Sequence, residues 1–386
     1  MQLQTNQRPA GGELASILHI GMPKTGSPTL QRTLHGSNHV LKQYGICYPS
    51  HLGSSPASHR IMASKLMPAE RFPRHLRRCR PQQQADQLYL ELKSRIDAAR
   101  EQGWAKQIIL SSEILFRLPQ EGYESCFRDS IHELLGDQFY IVAYLRAPAS
   151  AYLALLQQKL KASFKLRPAR PPEYRKVIKS YQDLLGGGRI RLRIFDRGEL
   201  CGGDIVKDFC HHFLPVYPDL VNRLQPAGET NVSLSAESMA VCLLFRKKFC
   251  AGTGDKHTKL TRKVISGLRH ADALVQASRP TLLPAIRDGI DRAAAPQMRR
   301  LRRQWGLEFN NYDYAHLNCS CSSGDVELLD RAKSLDQIIC LDFDVIRSVA
   351  YVLATETRLA DVRKVAQWSI SLASSSSSDI HRLLAA

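Results

Sequence analysis

No Cys-x-x-Cys pair occurs among the ten cysteines of this 386-residue chain. A zinc ribbon would show such pairs, and a secreted disulfide framework would be denser in a shorter chain. Cys319 and Cys321 with His316 come nearest to a metal cluster. Zinc ligand pairs usually stand further apart, so no metal is expected there. The remaining thiols read as reduced and cytosolic. Long apolar runs are missing too: nothing approaches the roughly 20 residues that span a bilayer. The opening stretch MQLQTNQRPAGGELAS lacks the charged start and apolar segment of a signal peptide. A cytoplasmic protein without a transmembrane segment is the expectation. Internal repeats are also absent.

Acidic residues are scarce relative to basic ones, 36 Asp and Glu against 54 Lys and Arg, for a net charge of +18. Such a balance favours anionic partners: nucleotides, nucleic acid, acidic glycans or an anionic membrane surface. The basic residues cluster at Arg74 to Arg80, at Lys159, Lys161, Lys165, Arg167 and Arg170, and in RRLRR at 299 to 303. These runs either guide an acidic glycan or form solvated helix faces. Nucleic acid is disfavoured, because no recognised motif or interleaved aromatics accompany the charge.

What is present is a chain with 44% hydrophobic and 23% charged residues, the make-up of a folded protein. Residues 1 to 14 read as a flexible leader. Ile17 to Ile20 forms a short buried-type strand, and Pro28 to Leu34 opens a helix. Leu88, Leu92, Ile96 and Ala99 recur at helical spacing, so an amphipathic helix is predicted over residues 83 to 102. The runs QIILSSE (107 to 113), FYIVAYLR (139 to 146) and RIRLRIF (189 to 195) read as strands. Helical stretches between them predict an α/β fold, a mainly parallel sheet flanked by helices. From about Ser233 the chain reads as mostly helical, and ASSSSSD (373 to 379) marks a low-complexity tail over 364 to 386. In parallel sheets, ligands collect at the carboxyl ends of strands. Lys24, Glu113 and Arg146 all stand at such ends.

The stretch ILHIGMPKTGSPTLQ (17 to 31) carries the chemistry. Gly21 and Gly26 let the backbone bend closely, Ser27 and Thr29 supply hydroxyls, and the following helix offers its free N–H groups and positive dipole end. Lys24 adds a point charge. A Walker A loop needs GxxxxGK[ST], with the lysine after the second glycine; here it precedes that glycine. Pro28 removes one N–H. At the first turn of a helix that loss is tolerated, with Ser27 expected as N-cap and the N–H groups of Thr29 and Leu30 facing the anion.

This loop closely resembles the phosphosulfate-binding loop of sulfotransferases that use 3′-phosphoadenosine 5′-phosphosulfate (PAPS), above all the bacterial and carbohydrate-type branch. YGICYPS (44 to 50), ILSSEIL (109 to 115), YLRAPASAYLALLQQ (144 to 158), RIRLRIFDRGELCGGDIVKDF (189 to 209) and NVSLSAES (231 to 238) follow in the family's order. The resemblance covers about residues 15 to 350, which it implies to be one Rossmann-like, phosphate-loop-like sulfotransferase domain. It implies transfer of a sulfuryl group from PAPS, without metal, to a hydroxyl or amine of an acceptor, a saccharide or glycolipid being the favoured class.

By the same resemblance Lys24 contacts the sulfuryl group and the leaving phosphate oxygen. Thr25, Gly26, Ser27 and Thr29 hold the 5′-phosphate, and Arg146 binds the 3′-phosphate. The family's serine eight residues beyond that arginine is here Ala154, with Ser150 and Tyr152 as nearby hydroxyls. Glu113 is the first choice as general base, its alternative being an ordinary ion pair, and His59 is the second. Asn231 and Ser233 either help close the cofactor pocket or cap the helix beginning near Ser235. Two other readings stand beside this one: a degenerate member that binds a nucleotide or acidic ligand without catalysis, and a phosphate-loop kinase.

Overall fold

The structure, a computed structural model, describes residues 14–50, 57–72, 82–117, 119, 121–166, 168–228, 233–251, 258–318, 321–355 and 363–385. Arg74 to Arg80, Arg167, Asn231 and Cys319 lie outside the described residues. By compactness the chain forms two units. The first comprises residues 1–146, 173–229 and 299–309, the second 147–172, 230–298 and 310–386.

The first unit is built on a five-stranded, all-parallel sheet: β1 (Ser16–His19), β2 (Ile46–Cys47), β3 (Gln107–Ser111), β4 (Phe139–Leu145) and β5 (Ile190–Ile194) in the order β2-β3-β1-β4-β5. The predicted α/β class and parallel sheet are therefore present. All four residues of β1 are buried, which fits a central parallel strand covered on both faces. Its register is fixed on both sides, Ile17 opposite Ile109 and Tyr140, Leu18 opposite Leu110 and Ile141. From β1 the chain moves toward β2 and β3, and from β4 it moves the other way to β5. The topological switch point thus falls between the carboxyl ends of β1 and β4.

Helix α1 (Ser27–Gly36) follows β1 and lays Leu30 and Leu34, one helical turn apart, on a core shared with Ile17, Ile109 and Val142. The amphipathic segment forms α2 (Gln82–Glu101), within one residue of the predicted 83 to 102. Helices α3 (Glu124–Leu135) and α4 (Tyr174–Leu185) precede β4 and β5, Phe127 meeting Tyr181 edge to face with ring centroids 6.0 Å apart. Helix α5 (Ile205–Phe213) adds Ile205, Val206, Phe209 and Cys210 to the core of α1. Asp204 caps it by accepting from the N–H groups of Val206 and Lys207 at 2.6 and 3.1 Å.

A buried carboxylate ties α5 to the sheet. Asp208, fully buried, accepts from Arg193 Nη2 at 2.7 Å and from Tyr144 Oη at 2.8 Å, linking α5 to β5 and β4. Burial pushes this carboxyl's pKa up, but the bonds from Arg193 and Tyr144 outweigh that and hold it below the usual value.

The second unit is helical, as expected for the C-terminal part. Its core gathers Leu156 and Leu160 with Met239, Leu243, Val264, Leu268, Ile346 and Leu353. Ser235 caps the helix Ala236–Cys250 by accepting from Ser238 N–H at 2.9 Å. The low-complexity reading of residues 364 to 386 is corrected. Helices Arg363–Ala373 and Ser377–Ala385 occupy that stretch and bury Val365, Leu372, Ile380 and Leu384. Its serines supply a cap instead of slack, Ser376 Oγ accepting from Asp379 N–H at 3.1 Å, while the flanking apolar residues reach the core. Among the described residues, no helix is long and apolar enough to cross a membrane.

Removing one partner of a buried ion pair leaves the other desolvated without compensation. Asp208→Ala should therefore cost about 2–4 kcal/mol, discounted because Arg193 keeps some solvent. Urea unfolding of the variant measures that loss, and an unchanged midpoint would show that the cluster does not hold α5 to the sheet.

Candidate functional site at the carboxyl edge of the sheet

Because the strands are parallel, the residues that follow β1, β3, β4 and β5 emerge along one edge. The β1 loop bends through two left-handed positions, Lys24 at φ 70° and Gly26 at φ 72°. For a lysine that conformation costs about 1–2 kcal/mol. Such outliers persist where the surroundings over-determine them and cluster at ligand sites. Gly21 is required sterically: a Cβ there would stand 2.1 Å from Ser27 Oγ. A Cβ on Gly26 would stand 2.9 Å from Phe195 Cε2 and 3.2 Å from Ile205 Cδ1. The loop is thus pressed against the ends of β5 and α5.

The capping expected of Ser27 is corrected. Gly26 is the N-cap of α1 and makes no side-chain cap, while Ser27 and Pro28 lie in the first turn. Nor do the N–H groups of Thr29 and Leu30 face outward. Both donate to Gly26 O, at 3.0 and 3.2 Å, because the left-handed Gly26 starts the helix one residue earlier. Among the described residues the N–H groups of Gly26 and Ser27 make no hydrogen bond, so both are open donors at the start of α1. Thr25 is buried, and its hydroxyl donates back to Met22 O at 2.7 Å, closing the turn. Ser27 Oγ is buried without a hydrogen-bond partner among the described residues. A lone buried hydroxyl costs free energy unless something completes it. Beneath the loop His19 is fully buried, with Nδ1 2.7 Å from Ser111 Oγ, and Gln31 Nε2 donates to the same hydroxyl at 3.1 Å.

Glu113 opens a short 3₁₀ turn, Glu113–Phe116, directly after β3, with Ser112 as its cap. Burial raises the pKa of its carboxyl, opposed by the charges of Lys24 and Arg60. The carboxyl is therefore in electrostatic reach of the loop lysine, and it forms no ion-pair contact among the described residues. Arg60 is a site residue that spacing did not indicate. It follows His59 in SHRIM, and nothing in that pattern marks it. Only pairing at the sheet edge brings it here: His59 N–H donates to Ser111 O at 2.9 Å, continuing the place of β2 beside β3.

The structure gives His59 a positioning place instead of the open one expected of a base. It is fully buried, its Nδ1 accepts from Ser111 N–H at 2.8 Å and its Nε2–H donates to Pro49 O at 2.7 Å. Both ring nitrogens are engaged by backbone, so the imidazole pins the end of β3 and has no lone pair left for a substrate proton.

Arg146 follows β4, half-buried, with its guanidinium 5.0 Å from the centre of the Phe195 ring. Burial lowers its pKa, while Asp196 raises it. Among the described residues it makes no ion-pair contact or side-chain hydrogen bond. Tyr174 Oη donates to its carbonyl instead. Phe195 is the shared neighbour of Arg146 and Gly26, so one ring positions both the loop and the guanidinium. Lys24, Arg60, Glu113 and Arg146 are brought to one edge of one unit. Ser150 and Ser233 belong to the second unit: Ser150 Oγ accepts from Asn311 Nδ2 at 3.1 Å, and Ser233 is exposed. Ala154 lies on the helix Pro148–Leu160, where Tyr152 is buried.

No known family model matches the chain, and no curated protein matches it. One solved structure that aligns is the signal recognition particle 54 kDa protein from Aeropyrum pernix K1 in complex with GDP, at 14% identity and a TM-score of 0.22. The alignment covers 98% of this chain and 77% of that one, and a likeness of that level carries no argument.

The His19 imidazole has a consequence for stability. Burial lowers its pKa from 6.5 to about 4. The unfolded chain takes up that proton near pH 6.5 and the folded chain only near 4, so stability falls as pH drops through this window. The fall attributable to His19 should be about 3 kcal/mol. Urea unfolding from pH 7 to 4 should show this slope in the wild type and lose it in His19→Leu. Equal slopes would mean that His19 takes up its proton over the same pH range in the folded and the unfolded chain.

Proposed function

We propose that the chain transfers a sulfuryl group from PAPS to a hydroxyl or amine of an acceptor, in the cytoplasm, with a saccharide or glycolipid as the favoured acceptor class. One observation carries the reading: the Glu113 carboxyl lies in electrostatic reach of Lys24, the lysine of the loop that resembles the phosphosulfate loop. The unbonded N–H groups of Gly26 and Ser27, the unpartnered Ser27 hydroxyl and the half-buried Arg146 suit a ligand with two separate phosphates. Arginine at such a site can grip phosphate with two parallel bonds.

In this reading Glu113 accepts the acceptor's proton as its oxygen attacks sulfur. A new O–S bond forms, and the S–O bond to the 5′-phosphate breaks. Lys24 offsets the negative charge that builds on the departing phosphate oxygen, more in the transition state than in the ground state. Burial supports the assignment of the base, since a raised carboxyl pKa improves proton acceptance near neutral pH. Phosphate-loop kinase chemistry is less well supported, because the loop lysine precedes the second glycine instead of following it as in a Walker A loop.

A non-catalytic binder is the competing reading. It is favoured by the N–H missing at Pro28 and by the engaged hydroxyl of Thr25. Two variants and one assay separate the readings. Arg146→Ala should weaken binding of 3′-phosphoadenosine 5′-phosphate by about ten-fold or more, as expected for losing a charged partner. Glu113→Gln should leave that affinity intact while transfer of radiolabelled sulfuryl into saccharide and glycolipid pools falls by about 10²–10⁴. Binding by the wild type without transfer into any pool would favour the non-catalytic reading. No binding of either nucleotide at millimolar concentration would overturn both.

A further inference from the structure

A second cluster of chemistry-bearing side chains lies in the first unit and uses none of the residues assigned above. Cys201 stands at the start of the short turn Cys201–Gly203, and His211 and His212 stand in the last turn of α5. One donor atom from each of the three lies within 4.8 Å of the others. We propose that Cys201, His211 and His212 hold a zinc-class divalent cation.

Three features of the local structure build this cluster. Gly202 and Gly203 take left-handed conformations, φ 58° and 69°, which reverse the chain directly after the cysteine. Asp208 then fixes both arms. Its carboxylate accepts from Cys201 N–H at 3.2 Å and lies 3.6 Å from His212 Nε2. A carboxylate behind a ligating imidazole is the usual outer support of such sites and orients the ring. Finally, helical spacing puts Asp208, His211 and His212 on one face, at i, i+3 and i+4. The neighbouring Cys210 is buried in the core and is not a ligand.

The donor set selects the cation. One thiolate sulfur and two imidazole nitrogens suit borderline-soft zinc, whereas magnesium and calcium demand oxygen. As the Zn–S bond forms, the S–H proton passes to solvent. Three protein ligands leave a fourth position for water, and the exposure of His211 gives the ion a path in. A bound cation would clamp the Cys201–Gly203 turn to α5, the helix whose first residue, Ile205, borders Gly26 of the loop.

The test uses the full chain, freed of metal by a chelator and titrated with cobalt(II) and then zinc. One equivalent of cobalt should produce a near-ultraviolet thiolate-to-cobalt band and intense visible bands of tetrahedral cobalt, and one equivalent of zinc should abolish both. Cys201→Ser should lose the thiolate band and bind zinc at least about ten-fold more weakly, with His211→Ala and His212→Ala weakened to a similar degree. Cys321→Ser should match the wild type. Circular dichroism identical to wild type certifies each variant as folded, and His211, being exposed, provides a ligand change remote from the core. Absence of the band in the wild type, its persistence in Cys201→Ser, or unchanged zinc affinity in His211→Ala would overturn the proposal.

Discussion

Everything at the carboxyl edge depends on parallel pairing of β1 on both of its sides. Four residues, all buried, carry the registers to β3 and β4. A slip of one residue would turn every side chain of the strand to the opposite face, removing His19 from Ser111 and Ile17 from the α1 core. The same registers decide where each following residue emerges. Lys24 follows β1, Glu113 follows β3 and Arg146 follows β4, so residues more than a hundred positions apart in sequence come to one edge. The switch point between β1 and β4 opens the sheet there, which is why this edge and not the opposite one gathers the polar groups.

A chain with net charge +18 repels itself, and the local arrangement shows how that repulsion is used. Arg193 is neutralised by Asp208, and the exposed helices carry pairs such as Lys93 with Asp97 at 2.6 Å. The edge of the sheet is treated differently. Lys24, Arg60 and Arg146 stand there with the carboxylates Glu113 and Asp196, Glu113 in electrostatic reach of Lys24 and Arg60 and Asp196 of Arg146. Burial raises the pKa of the Glu113 carboxyl, and the charges of Lys24 and Arg60 lower it. A base needs such a compromise, since a fully neutral acid accepts nothing and a fully solvated carboxylate accepts weakly.

Much of this frame was legible from residue order because it rests on local signals. Buried-type strands at 17, 107, 139 and 189 and the α2 periodicity were each within two residues of their observed bounds. The two-residue strand β2 was not read as a strand, because Ile46 and Cys47 offer no period of their own and are placed by pairing with β3. His59 and Arg60 show the same limit more sharply. A histidine in a polar loop looks solvated and available, yet backbone groups of Ser111 and Pro49 take both of its nitrogens. Arg60 has no pattern at all and acquires its place from its neighbour. The serine run was misread for the opposite reason: composition suggested slack, while Ile380 and Leu384, one turn apart, anchor a helix. Cys201 and His211, ten positions apart, meet only because two glycines reverse the chain between them.

Pro28 illustrates how one backbone angle redistributes a loop's donors. With Ser27 as cap, the proline would have stood at the first helical position and left the next two N–H groups open. The left-handed Gly26 instead moves the helix start back by one residue, so Gly26 O collects the N–H groups of Thr29 and Leu30. A residue at Pro28 with an N–H would add one donor to the first turn, where helices leave their N–H groups unsatisfied. Gly26 and Ser27 keep open N–H groups there, beside a buried Ser27 hydroxyl that lacks a partner among the described residues. Proline in exchange fixes φ where the turn tightens, next to Ser27, whose Oγ leaves no room for a Cβ on Gly21. The loop therefore offers fewer donors than its sequence suggests, held in a more constrained arrangement. Under the proposed function, its anion affinity would come mainly from the charges of Lys24 and Arg146 instead of from backbone N–H groups.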